Sequence, residues 1–188
     1  MGPGILGTPR MPTTLLSLAL AALLAWAIVI YNLLVRDRNR VAAAWSDIDV
    51  QLKRRHDLIP KLVASVRAYA GFEQATLARI TELRRHGSEI EAVAERGRLE
   101  GQLGAQLQRL FALAEAYPEL KANASFLDLQ SNISDVEGHL QQARRYYNGA
   151  VRNLNTRIDS FPDLLLARLF GYRHADYFEL DDVAQRQG

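Results

Sequence analysis

The sequence predicts an all-α protein, with an N-terminal transmembrane helix continuing into an antiparallel bundle of three to four long helices. Three observations carry this. Between Arg10 and Arg36 stand 25 residues without a formal charge. Beyond them, apolar side chains recur at alternating spacings of four and three, the period of packed helices. No stretch alternates apolar and polar residues as a half-buried strand would.

Composition narrows the function classes. The 188 residues include no cysteine, which excludes a disulfide scaffold, a zinc knuckle and a thiol nucleophile. Lys and Arg number 23 against 21 Asp and Glu, a balance that does not suit a nucleic-acid-binding surface. The charge is unevenly placed: every charged residue except Arg10 lies at position 36 or later.

Residues 1–12, rich in Pro and Gly, read as an irregular tail, and residues 13–35 as the membrane helix. A bilayer core of about 30 Å needs roughly 20 apolar helical residues, and this run is long enough to span with some tilt. Leu15, Leu20, Leu24, Trp26, Ile30 and Tyr31 are its anchor residues, with Tyr31 in the place of an interfacial aromatic. A cleaved signal peptide would need a shorter apolar core. Ala25-Trp26-Ala27 resembles a cleavage site, but the apolar run continues past it to Val35. Arg36, Arg38, Arg40, Lys53, Arg54 and Arg55 follow the span, against Arg10 before it. The excess places the main domain on the cytoplasmic side of a bacterial inner membrane.

Thr13 to Ile59 contains neither Pro nor Gly, so the membrane helix is expected to run directly into the soluble domain. The spacing continues through Val41, Trp45, Ile48, Leu52, Arg55, Ile59, Leu62, Val66, Tyr69, Glu73, Thr76, Ile80 and Leu83, with three polar residues among them. Pro60 lies off this seam and predicts a kink or an end, and Gly71 a second weak point. Arg84-Arg85-His86-Gly87 resembles a helix C-terminus. A second helix is expected from Ser88 to Tyr117; its Gly97, Gly101 and Gly104 suit close helix packing better than a hinge.

Pro118 opens the most regular helix. Ala122, Phe126, Leu129, Ile133, Val136, Leu140, Ala143, Tyr147, Ala150, Leu154, Arg157 and Phe161 keep the spacing throughout. Being longer than the second helix, it is expected to protrude in part. Ser160-Phe161-Pro162-Asp163 then resembles a capped helix start, followed by a short helix that Gly171 ends. Tyr172, Tyr177 and Phe178 are placed to staple the end of a domain covering residues 36–180, with 181–188 a flexible tail.

Catalytic signatures are missing. None of His56, His86, His139 and His174 follows an acid by three residues, so the di-metal site of some helical bundles has no ligands. No phosphate loop, dinucleotide fingerprint or nucleophile motif occurs. No cofactor and no metal are expected. The densest polar segment runs from Trp45 to Pro60, with Asp49, Lys53 and His56 on one helix face. Its plain reading is a solvated face carrying an Asp49–Lys53 pair. The sharper readings are a docking surface, or a buried layer where Arg55 meets an acid from another helix. Tyr147-Asn148 echoes Tyr31-Asn32, and the two join the candidate interaction surface of Asp49, Lys53 and His56.

At these residues the chain resembles a known family. Tyr31-Asn32, Arg38-Asn39, Ala44–Pro60, Ala114–Asn123, Ala143-Arg144, Tyr147-Asn148, Asn155 and Phe161-Pro162 look like the LemA family of bacterial membrane proteins. Departures are small: Lys61 stands where Asn is common, and Gly149 lowers helix propensity. The resemblance implies a single-pass membrane protein with a long-helix bundle and no catalytic residue to transfer. The expected function is a membrane-anchored, non-enzymatic interaction scaffold. Its expected partners are the lipid bilayer, other membrane proteins or a second copy, and no nucleic acid. The alternative, suggested by metalloproteases encoded near family members, is an accessory or regulator of a membrane protease in envelope quality control.

Overall fold

The computed structural model describes residues 11–67 and 73–179, with side chains from residue 13 onward. Of the irregular tail expected at 1–12, Met11 and Pro12 are already helical, since a proline is tolerated in the first turn of a helix. Residues 1–10, the expected tail at 181–188 and the positions of Tyr69 and Gly71 lie outside the described residues.

Six helices account for the order of the described chain: α1 Met11–Arg67, α2 Gln74–Glu89, α3 Val93–Ala114, α4 Pro118–Lys121, α5 Ala124–Asp159 and α6 Asp163–Leu169. The 57-residue α1 passes through Pro60 without ending. The proline is exposed and off the seam, so its ring meets solvent and not a neighbouring helix. At 1.5 Å per residue the helix is about 85 Å long. Its first part, Thr13 to Val29, is an exposed apolar rod long and apolar enough to cross a membrane.

From Ile30 onward α1 is the spine of the bundle. The helix α5 runs antiparallel along it: Ile30 and Leu34 meet Leu154 and Ile158, then Ala44, Ile48 and Leu52 meet Leu140 and Tyr147. Ile59, Leu62 and Val66 share the distal core with Phe126 and Ile133. There, α2 folds back along α1 and α3 returns beside it, giving an up-down-up-down order. Arg84 Nε donates to the His56 carbonyl at 2.8 Å, which sets the register of α2 on α1.

Beyond the start of α1, the element boundaries differ from expectation in three further places. Gly87 does not end α2, which continues to Glu89. It extends the Thr76, Ile80, Leu83 seam, and a Cβ there would stand 2.8 Å from Glu100 Oε1. The expected third helix breaks after Lys121, because the Asn123 side chain accepts from the Phe126 amide and starts α5 afresh. Finally, Ser160 does not cap α6; its hydroxyl donates to the Thr156 carbonyl, and Pro162 precedes the helix. Gly171 closes α6 as expected, at φ 69°.

Nor does α5 protrude. The stretch that α2 and α3 leave uncovered is taken by α6 and by an extended strap, residues 172–179. Tyr147 Oη donates to the Asp176 carbonyl at 2.9 Å. Asn148 holds Phe178 from both sides, donating to its carbonyl at 3.1 Å and accepting from its amide at 3.0 Å. Asn155 grips Ala175 in the same two-sided manner. The Phe178 ring is fully buried, 5.6 Å from the Trp45 ring, whereas Tyr177 stays outside.

The glycines separate by what surrounds them. A Cβ at Gly97 would meet the Glu179 carbonyl at 2.5 Å, and one at Gly104 would meet Arg55 Nη2 at 3.0 Å, so α3 uses both for close approach. Nothing lies within 4 Å of a Cβ at Gly138 or Gly149. Gly149→Ala is therefore expected to stabilise the chain by about 0.5–1 kcal/mol through helix propensity. Gly87→Ala is expected to cost about 1–3 kcal/mol, because a carboxylate must move. Opposite shifts in the midpoint of thermal unfolding would check the pair.

Candidate functional site

Between α1, α2, α3 and α5 lies a layer of charge inside the core. Arg55 occupies a seam position of α1 that apolar residues hold on either side, so the helix register forces it inward. Its Nη1 donates to Glu100 Oε2 and its Nη2 to the Glu100 carbonyl, each at 3.3 Å. Its Nε lies 3.0 Å from Glu137 Oε1 as an ion pair. The next residue, His56, brings Nε2 to 2.8 Å from Glu100 Oε1. The Glu100 side chain is 0% exposed. A carboxylate so deep is stable only where charge and hydrogen bonds compensate its lost water; Arg55 supplies the charge, and Arg55 and His56 the hydrogen bonds. Gly87 and Gly104 leave the space for this arrangement.

A groove of about 340 Å³ opens beside the layer, between α3 and α5, with Glu100, Gly101, Gly104, Glu137 and Arg144 along it. Burial holds the Glu137 carboxyl above the usual carboxylate range; Arg55 opposes that shift and Glu100 adds to it. Among the described residues, no group of three or more His, Asp or Glu is arranged to hold a metal ion.

A second charged cluster stands where the bundle begins. The buried Asp37 accepts from Arg157 Nε at 2.6 Å, while Arg157 Nη1 donates to Asp163 at 2.8 Å. These contacts tie α1, α5 and α6 together and hold the Arg157 guanidinium above its ordinary pKa, the Asp37 hydrogen bond being the main cause. They explain a polar residue at that position of the α5 seam.

The residues expected to form an interaction surface divide. Asp49 and Lys53 are exposed, but Asp49 pairs with Arg96 of α3 at 2.8 Å and not with Lys53. The Arg96 guanidinium is also stacked over Trp45 at 5.6 Å. His56 turns inward onto Glu100, so the polar segment is only partly a solvated face. Tyr147 and Asn148 do not face outward either, because both hold the strap. Burial raises the Tyr147 phenol above its ordinary pKa. Of the anchor residues, Leu15, Leu20, Leu24, Trp26 and Tyr31 are exposed. Ile30 is the exception at 4% exposure, since it packs among Leu154, Ile158 and Ala167.

Glu100 and Glu137 are the partners that sequence reasoning missed. A signal for Glu100 existed: stepping back from Leu107 and Leu103 at helical spacing lands on Glu100 and then Gly97. Glu137 has no comparable signal, because it flanks the Val136 seam position as many solvated acids do.

Comparison with known proteins agrees with this architecture. A model described as the LemA family matches residues 44–188. Protein LemA of Metamycoplasma hominis is 29% identical over 153 residues, covering 81% of this chain and 70% of the relative. Magnetosome protein MamQ 2 of Paramagnetospirillum magneticum is 23% identical over 188 residues, covering 86% and 69%. Magnetosome protein MamQ of Magnetospirillum gryphiswaldense is likewise 23% identical, over 187 residues. The family match takes in Arg55 and His56, Glu100 and Glu137, and the strap that Tyr147 and Asn148 hold. With an exposed apolar helix before it and bundle, charged layer and strap within it, the chain belongs to the LemA family.

Proposed function

We propose that this protein is a membrane-anchored, non-enzymatic scaffold that holds protein partners at a set height above the bilayer. The observation that carries the reading is α1, one helix whose exposed apolar part continues into the spine of the bundle. A flexible tether would let the domain wander, whereas an uninterrupted helix fixes its distance from the bilayer. From Ile30 to Arg67 the spine rises about 57 Å. Arg36, Arg38 and Arg40 directly after the span favour a bundle on the cytoplasmic side of the inner membrane. The outward strip of α1 around Val50, Lys53 and Asp57 is exposed and is the surface offered to partners.

A photo-crosslinking amino acid at Val50 or Lys53 of the full chain, activated in intact membranes, tests the reading. Discrete protein adducts at these positions, weaker from Leu127 on α5, are the expected result. An adduct of twice the chain mass would identify a second copy as the partner. If no protein adduct forms at any exposed bundle position, the scaffold reading fails.

A further inference from the structure

The short helix α6 is built inside out for a protein in water. Its fully buried residue is Ala167, which packs among Ile30, Leu34, Leu154 and Ile158. Its leucines at i and i+4, Leu165 and Leu169, are instead 55% and 75% exposed. Phe170 beyond it and Phe161 before it are 54% and 79% exposed. Four large apolar side chains thus crowd one end of the bundle, whereas a soluble surface normally scatters them singly.

That end is where α1 leaves the bundle. The hydrocarbon core of a bilayer takes about 20 helical residues. A span starting at Met11 to Thr13 therefore reaches its far boundary near Ile30 to Asn32. Tyr31 sits at that level, and the Phe170 ring lies 4.9 Å from the Tyr31 ring. Because α5 is antiparallel to α1 and Ile158 packs beside Ile30, α5 ends at the membrane end of the bundle, with Phe161 two residues past its last residue. The bundle thus carries its apolar patch at the depth where the bilayer surface must fall. Arg36, five residues after Tyr31, and Arg168 and Arg173, in and just after α6, are exposed, Arg36 lying 3.6 Å from Asp37. Of the nearby acids, Asp163 pairs with Arg157 and Asp159 with His174.

We infer that α6 and the Phe161 turn form an interfacial foot, whose Phe161, Leu165, Leu169 and Phe170 rest in the phospholipid boundary of the bilayer that α1 enters. Apolar side chains sunk to this depth with cations at the rim are the pattern of a helix lying in the interface plane, and the arginine stems can reach back to the headgroups. One transmembrane helix alone leaves a domain free to tilt about its exit point. A second contact beside that point fixes the tilt. The inference rests on the anchoring part of the function proposed above.

The cysteine-free chain suits the test. The full chain with one nitroxide-labelled site, Leu165→Cys or Leu169→Cys, is reconstituted into vesicles of phosphatidylcholine and phosphatidylglycerol. Leu20→Cys reports the span and Tyr146→Cys the water-facing bundle. Collision with oxygen is then compared with collision with a water-soluble nickel chelate. All four positions are exposed, and unchanged helicity on circular dichroism checks that each variant folds. The expected result is an oxygen-to-nickel-chelate collision ratio at 165 and 169 well above that at 146 and shifted toward that at 20. Sites 165 and 169 that behave like 146 would overturn the foot. So would sites that neither reagent reaches, since protein would then cover the patch. A site 20 open to the nickel chelate would overturn anchoring itself, and the foot with it.

Discussion

Arg55→Met is expected to destabilise the folded chain by about 3–5 kcal/mol, the cost of removing one partner from a buried ion pair. The size follows from what remains. The Glu100 side chain is fully enclosed and keeps only His56 among its described side-chain partners, and Glu137 loses the cation that opposes its desolvation. Methionine fills much of the volume, so the loss reports charge more than cavity. Removing both charges separates the two contributions: Arg55→Met combined with Glu100→Leu is expected to cost clearly less than the sum of the single changes. Denaturant unfolding of the full chain in mild detergent, followed by circular dichroism, measures all three variants. A single Arg55→Met loss below about 1 kcal/mol would mean that water reaches the layer and shields Glu100.

Phe178→Ala is expected to cost about 3–5 kcal/mol, the range for truncating a buried aromatic. Phe178 is the one strap side chain that is fully buried, against Ala44, Ile48, Leu52 and Val151 and beside Trp45. Its effect has a local signature as well. The Phe178 amide is held by Asn148 and the Ala175 amide by Asn155, so both are protected only while the strap is docked. Hydrogen exchange at residues 175 and 178 is expected to rise far more than exchange in the middle of α5. Equal acceleration in both would mean that strap and bundle unfold as one unit.

Much of this fold was legible in the chain. The α1 seam from Val41 to Val66 and the α5 seam from Phe126 to Leu154 repeat at helical spacing, and period is a local property that side-chain burial enforces. The failures share one cause. Gly87 looked like a helix end because glycine and cations often stand there, yet it continues a helix where Glu100 of α3 needs its space. Phe161 kept the α5 spacing, yet the helix stops two residues earlier and the ring points away from the bundle. The echo of Tyr31-Asn32 points to Tyr147 and Asn148 as part of an interaction surface; in the fold they supply the hydrogen bonds that the strap backbone would otherwise lack.

The sequence by itself determined that this is a helical protein with a charge-free N-terminal run, a rigid continuation into the bundle and a LemA-like polar segment. Those are properties of composition and of spacing within single helices. Only the tertiary structure decided that Arg55 and His56 converge on Glu100, that the strap closes over Tyr147, and that the leucines of α6 face outward beside Tyr31. Each of these depends on the register between helices far apart in the chain, which no local period encodes.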